Sequence, residues 1–319
     1  MERSDALGFR AWCVCVPVRN EAERLGTLLD ALAEQDIAGP VPVVVAINNT
    51  TDRSVAEAFA AGQRHVGRLE LLIDDHVFEP GFAHAGSARE RAMALGLERV
   101  GRDPEGVLIS TDADTRPPQD WVRSNLAAIA AGADLVGGRL VIDEAEPLDA
   151  GPAAIRAAWD EYWSRVRAIE DEIDPSASDP APRHGDHTGA SLAITVAAYQ
   201  AAGGVPIIPT GEDRALVNAA LSAGCRLVHP MSVWTRVSPR FDGRAEGGMA
   251  EDMQRLLAIA AEGRMPTAPG FEQWRERATW RRQTRAQHGT AALLAAEANL
   301  PPMAHDMPLL SAPEPVGVP

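Results

Sequence analysis

The chain has 319 residues, 45% of them hydrophobic, with a formal net charge of −15 and a pI near 5.0. That length can bury one large core or two smaller ones. The acidity excludes a general nucleic-acid binder, which needs a basic face for phosphates, but not a nucleotide held by a local basic pocket or a metal. There are three cysteines, Cys13, Cys15 and Cys225, and no CxxC or Cys/His spacing that suggests zinc. Cys13 and Cys15 alternate along a predicted strand, so their Cα atoms stand roughly 6.5 to 7 Å apart, at the edge of disulfide reach. Free buried thiols in a reducing, cytoplasmic setting are expected. The acidic start lacks a secretion signal, and no run of about 18 apolar residues predicts a membrane-spanning helix.

The first half alternates strand and helix signals. Ala11–Val18 is an apolar strand ending beside Arg19-Asn20-Glu21, and Ala22–Gln35 repeats leucines at helical spacing. Val41–Ile47 is β-branched and precedes the turn-like Asn48-Asn49-Thr50. Ser54–Val66 reads as a helix, Leu69–Ile73 as a strand and Ser87–Val100 as a helix. Gly106–Ser110 is the next strand, Gln119–Ala131 the next helix, and Leu135–Ile142 a further strand. Strands separated by helices imply βαβ units and a mainly parallel sheet, with ligands beyond the carboxyl ends of the strands. After Asp143 the pattern changes. Pro152–Ile173 is helical, and Asp174–His187 is a polar, Pro-rich loop. Val196–Ala202 and Gly211–Gly224 read as helices, with short strands at Arg226–His229 and Ser232–Val237. Glu251–Gly263 and Glu272–Asn299 form a helical extension, and a Pro-rich tail from Pro301 is expected to fray. The expected division is 1–250 (a first half about 11–142, a second about 143–250), then 251–300 and 301–319.

Two carboxylates, Asp112 and Asp114, follow the apolar strand Val107-Leu108-Ile109. Two residues apart on extended backbone, they share a face and repel unless a cation or donor group intervenes. A hard divalent ion, Mg²⁺ or Mn²⁺, suits such oxygen ligands and leaves room for phosphate oxygens. A plain turn would also use aspartates here. A second pair, Glu212-Asp213, opens a predicted helix, where the helix dipole alone favours acids.

The surroundings of these pairs resemble the GT-A nucleotide-sugar glycosyltransferases, specifically the family 2 group. VCVPVRNEAERLGTLLDAL resembles that family's opening strand and nucleobase loop, and GSARERAMALGLE its segment with an arginine near the nucleotide. STDADTRPPQDWV resembles the DxD segment, including the downstream Trp121. GASLAITVAAYQAAGGVP resembles the acceptor-side segment, PTGEDRALVNAALSAGCRLV the segment of the catalytic base, and VSPRFDGRAEGG a basic closing loop. The resemblance runs from about residue 11 to 250. It implies an α/β GT-A (Rossmann-like) fold and an inverting glycosyltransferase. Asp213 would be the base, supported by Glu212. Asp114 and Asp112 would hold Mn²⁺ or Mg²⁺, with His229 as a third ligand. Pro17, Arg19, Asn20, Glu21, Asn48, Arg89, Asp112, Ala113, Arg240 and Arg244 would line the nucleotide-sugar site. The family often has an acidic pair where this chain has Ile47-Asn48-Asn49, which leaves the base unassigned. Asn48 could still bond a base edge through its amide.

The implied partners are a nucleotide-diphosphate sugar and a hydroxyl-bearing acceptor, small or lipid-linked, with no nucleic acid. Self-association is compatible with the sequence. Two alternatives stand beside this reading: a sugar-phosphate nucleotidyltransferase, disfavoured by the lack of a Gly-rich loop after the first strand, and a catalytically silent nucleotide-sugar-binding module. His184 and His187 are further candidates for metal or acceptor. Trp159, Tyr162 and Trp163 share one helical face and suit either a core or a sugar-stacking surface. Arg275, Arg277, Arg281, Arg282 and Arg285 suit a solvated helix face or an anionic surface.

Overall fold

A computed structural model describes residues 11–146, 148–240 and 249–309. In chain order the elements are β1 (Trp12–Val18), α1 (Leu25–Ala33), β2 (Val41–Asn48), α2 (Ser54–Arg64), β3 (Leu69–His76), α3 (Ala85–Val100), β4 (Val107–Ser110) and β5 (Thr115–Arg116). There follow α4 (Trp121–Ala130), β6 (Leu135–Gly137), β7 (Arg139–Ile142), α5 (Ala150–Ile173), β8 (Leu192–Thr195), α6 (Val196–Ala201) and α7 (Glu212–Ser222). Last come β9 (Leu227–Val228), β10 (Trp234–Val237), α8 (Met249–Ala261), β11 (Thr267–Ala268), α9 (Phe271–Glu297) and β12 (Met307–Pro308).

The chain forms two compact units. The first comprises residues 1–144, 182–238 and 244–246. Its seven-stranded sheet has the order β3-β2-β1-β4-β8-β6-β9. The period-2 pattern of β1 explains the layering. Val14, Val16 and Val18 face a core shared with α1, α2 and α4. Cys13 and Cys15 face the opposite core, with Ala92 and Met93 of α3 and Leu216 and Val217 of α7. Helices therefore cover both faces, as the near-continuous apolar strands require. All three cysteines are free thiols, and Cys13 and Cys15 are fully buried.

The sheet is mainly parallel, but β8 runs antiparallel to both β4 and β6. This reversal brings the segment before β8 back to the carboxyl end of β4. The expected single strand Leu135–Ile142 is two strands in different sheets, because β7 pairs with β10 in a three-stranded sheet, β5-β10-β7. The break falls at Gly137-Gly138, where the backbone passes other groups too closely for side chains. A Cβ at Gly137 would stand 2.2 Å from the Asp186 carbonyl oxygen, and one at Gly138 2.0 Å from Ser191 Oγ.

The second unit comprises residues 145–181, 239–243 and 247–319. Its core is Ala158, Tyr162, Val166, Ala268 and Leu309, with Trp159, Phe271 and Trp274 packed on it. The Tyr162 hydroxyl donates to the Pro269 carbonyl at 2.8 Å and accepts from Trp274 Nε1 at 2.6 Å, so Tyr162 of the aromatic stripe is a core residue, while Trp163 is 40% exposed. The arginine stretch of α9 turns to the acids of α5: Arg281 pairs with Glu170 and Glu297, Arg285 with Asp174 and Arg275 with Glu172. α9 is interrupted at Gly289, which takes φ 80°. Residues 301–309 are tied down rather than frayed. Gln273 bonds both the carbonyl and the amide of Ala304, and Asp306 accepts from the Gly270 amide. Among the described residues no helix is long and apolar enough to cross a membrane.

Candidate active site

The site gathers at the carboxyl ends of β1, β2 and β4 and at the start of α7. On the β1 side, loops are stitched together by short polar side chains. Asn20 takes φ 52°, and its Oδ1 accepts from the Thr51 amide at 2.7 Å. The Glu21 amide donates to Ser54 Oγ at 2.8 Å, and the Ala22 amide to Asp52 Oδ2 at 2.9 Å. Pro17, half-buried, sits opposite Ala46 in the β1–β2 register. Arg19 donates to the Ala83 carbonyl, and Asn48 Nδ2 to the His84 carbonyl at 2.9 Å. Asn48 Oδ1 is enclosed with no hydrogen bond. An orphaned acceptor of this kind is rare in native structures.

Arg89 is the hub. It projects from the first turns of α3, and its side chain is only 7% exposed. Nε donates to Glu212 Oε1 at 2.9 Å, Nη2 to Asp112 Oδ1 at 2.8 Å, and Nη1 to Ser110 Oγ at 2.7 Å and to the Gly189 carbonyl at 3.1 Å. Burial opposes the guanidinium charge, but Asp112, Glu212 and Asp213 outweigh it and raise the Arg89 pKa. One cation thus binds a member of each acidic pair, which is how like charges can share the site.

Asp213 lies one residue further along α7 and is half-buried. Its Oδ2 accepts from the Gly189 amide and its Oδ1 from its neighbour Arg214's amide, both at 2.7 Å. Gly189 therefore offers its carbonyl to Arg89 and its amide to Asp213. A Cβ there would stand 2.2 Å from Arg89 Cζ. Gly189→Ala is expected to displace the guanidinium and to destabilise the protein by about 1–3 kcal/mol, as overpacking does. An unchanged thermal midpoint would count against this close approach.

Asp114 is half-buried, and its carbonyl accepts from the Ser238 amide at 3.2 Å. Ala113, between the two aspartates, is buried. Trp121 Nε1 donates to Ser191 Oγ at 2.9 Å, fixing the chain just after Gly189. Among the described residues no three His, Cys, Asp or Glu side chains gather as a metal-ligand set. A hard cation that keeps waters and substrate phosphates needs only one or two carboxylates, so a three-residue set is not required for Asp112 and Asp114 to hold one. His229 lies against two other histidines: its Nε2 is 3.1 Å from His187 Nδ1, and its ring centroid is 5.5 Å from that of His184. Burial and His229 lower the His187 pKa, with Asp186 and Asp213 opposing.

Arg236 bonds both carboxylate oxygens of Glu144 and lies 4.6 Å over the Trp234 ring. Arg240 is half-buried just past Ser238, and Arg244 lies outside the described residues. Of the sequence-predicted residues, Arg89, Asp112, Glu212 and Asp213 meet in one network. Two partners in that network, Ser110 and Gly189, were missed. A serine closing an otherwise apolar strand and a glycine in the segment before β8 were the available signals.

Residues 13–174 match the family described as Glycosyl transferase family 2. The chain belongs to that family. As a family 2 glycosyltransferase it is an enzyme of sugar transfer, and its fold is GT-A. The structure of S. aureus TarS 1-349 in complex with UDP-GlcNAc is 15% identical, with a TM-score of 0.50 covering 86% of this chain and 74% of that one. The mannosyltransferase PcManGT from Pyrobaculum calidifontis in complex with GDP-Man and Mn²⁺ is 18% identical, with a TM-score of 0.48 covering 90% and 79%. Glucosyl-3-phosphoglycerate synthase from Mycobacterium tuberculosis in complex with UDP is 16% identical, with a TM-score of 0.42 covering 81% and 84%. No curated protein sequence matches the chain.

Proposed function

We propose that this glycosyltransferase moves a sugar from a nucleotide-diphosphate donor to an acceptor hydroxyl, with inversion and with a divalent cation. The observation that carries the reading is the Arg89 network, which joins Asp112 at the end of β4 to Glu212 and Asp213 at the start of α7. Donor-side and acceptor-side carboxylates are thereby held in one frame.

Asp114, with Asp112, would hold the cation, which when bound neutralises charge on the departing diphosphate. The chain's own residues do the rest. Asp213 takes the proton from the acceptor hydroxyl as that oxygen attacks the anomeric carbon, and the bond to the diphosphate oxygen breaks on the opposite face. Glu212 is buried against Arg89, so it positions the helix start rather than meeting the acceptor. The amides of Gly189 and Arg214 keep the Asp213 carboxylate aimed. The loops carrying Pro17, Arg19, Asn20, Glu21 and Asn48 would enclose the nucleoside, and the structure in complex with UDP-GlcNAc is a precedent of similar fold. The acceptor would be a small hydroxylated molecule or a lipid-linked one.

Calorimetry with a panel of nucleoside diphosphates and nucleotide sugars, with Mn²⁺ and with EDTA, tests this. Binding of one base is expected to require the metal and to weaken about tenfold or more in Asp114→Ala. Equal binding in EDTA would remove the metal from the proposal, and binding of none would remove the nucleotide.

A further inference from the structure

α3 presents Arg89 to the candidate active site, and the next residue, Glu90, turns about 100° around the helix to a different place. It lines a cavity of about 700 Å³ between α3 and the segment of α6 and its following loop. That volume is within the range of about 300–1,000 Å³ typical of small-molecule sites. Leu97, Glu98, Arg102, Tyr199 and Val205 complete the part of the wall that bears on recognition. The cavity follows α3 to its last turn, which precedes β4 and so lies toward the amino ends of the strands, whereas Asp112 follows the carboxyl end of β4.

Glu90 is a half-buried carboxylate with no hydrogen bond or ion pair to any described residue. The adjacent Arg91 is committed as a fork to Asp74, with both bonds at 2.8 Å. Burial raises the Glu90 pKa against the pull of Arg91, the sign of a carboxylate short of donors. Tyr199 is 5% exposed, and burial pushes its hydroxyl up to about 12, so it stays a neutral phenol beside the acid. The other charged residues of the wall, Glu98 and Arg102, are exposed, so the half-buried charge here is Glu90. Leu97 and Val205 supply apolar surface.

We propose that this cavity is a second ligand site, separate from the nucleotide-sugar site, for a small organic cation: an ammonium group on Glu90 and a short apolar stem against Leu97, Tyr199 and Val205. A hydrogen bond to a charged group is worth more than a neutral one, and here it would satisfy a carboxylate that lacks a donor.

The test is a ¹H–¹⁵N titration of the full chain with phenethylammonium, with 2-phenylethanol as the uncharged control. Saturable shifts are expected at residues 90–102 and 199–205, with the alcohol and the Glu90→Gln variant each binding about tenfold more weakly or worse. Ala94→Met, which adds bulk to the cavity wall, is expected to weaken binding too. No saturable shift at these residues up to about 10 mM ligand overturns the proposal. So does equal affinity for the alcohol or in Glu90→Gln. Glu90→Gln adds no bulk, so its amide spectrum reports directly that the fold is kept.

Discussion

Replacing Arg89 with methionine is expected to lower the opening free energy of the first unit by about 3–5 kcal/mol, because it leaves a buried carboxylate without its counter-charge. Glu212 is the residue that bears this cost: its side chain is 5% exposed and its bond to Arg89 is internal. Asp112, at 38% exposed, can turn to water and contributes little. Native-state hydrogen exchange of the β1 and β4 amides reads the loss. The double variant Arg89→Met/Glu212→Leu is expected to recover most of the stability, since an apolar pair often replaces a buried ion pair without loss. It should not recover transfer, because Asp112 and Asp213 would lack the shared frame. If the single variant opens no more readily than wild type, the Arg89–Glu212 pair is not a feature of the folded enzyme.

Asp213→Asn is the second large effect, and it falls on rate rather than stability. Asparagine keeps the shape but cannot take a proton, so kcat is expected to fall by about 10²–10⁴-fold, the usual contribution of a positioned base. Nucleotide affinity should stay within about twofold, because Asp213 is tied to the Gly189 and Arg214 amides rather than to the β1 or β2 loops. One of those amides would face the new NH₂ group, so the Gly189 amide resonance checks that the helix start is kept. Full turnover in this variant would move the base elsewhere, and Glu212, locked on Arg89, would be an awkward substitute.

These expectations rest on features of unequal visibility in the sequence. The strands β1, β2 and β4 were legible because both of their faces are covered, which makes them continuous apolar runs. The paired aspartates were legible because they interrupt such a run at its end. The reversal at β8 was not, since Leu192–Thr195 is as apolar as a parallel strand would be and direction leaves no mark on composition. The break at Gly137-Gly138 was hidden for the same reason: a glycine pair inside a β-branched stretch reads as a weak spot, and only the position of Asp186 and Ser191 makes it a crossing between sheets. Arg89 was named through the resemblance, as a nucleotide neighbour. Its bonds to Ser110, Asp112, Gly189 and Glu212 depend on residues up to 123 positions away, and no local pattern carries that information.

The thiols of β1 give the protein a built-in reporter. Cys13 and Cys15 lie on an interior strand of the seven-stranded sheet, fully buried, and a Cβ on Gly96 of α3 would come within 2.5 Å of Cys15 Sγ, so no reagent can reach them in the closed state. The hydrogen bond with Cys13, together with burial, also holds the Cys15 thiol protonated. Alkylation of these two positions therefore requires α3 to leave the sheet, and its rate under native conditions counts how often that happens. Cys225, partly exposed, should be modified first and serve as the internal clock against which the openings are timed.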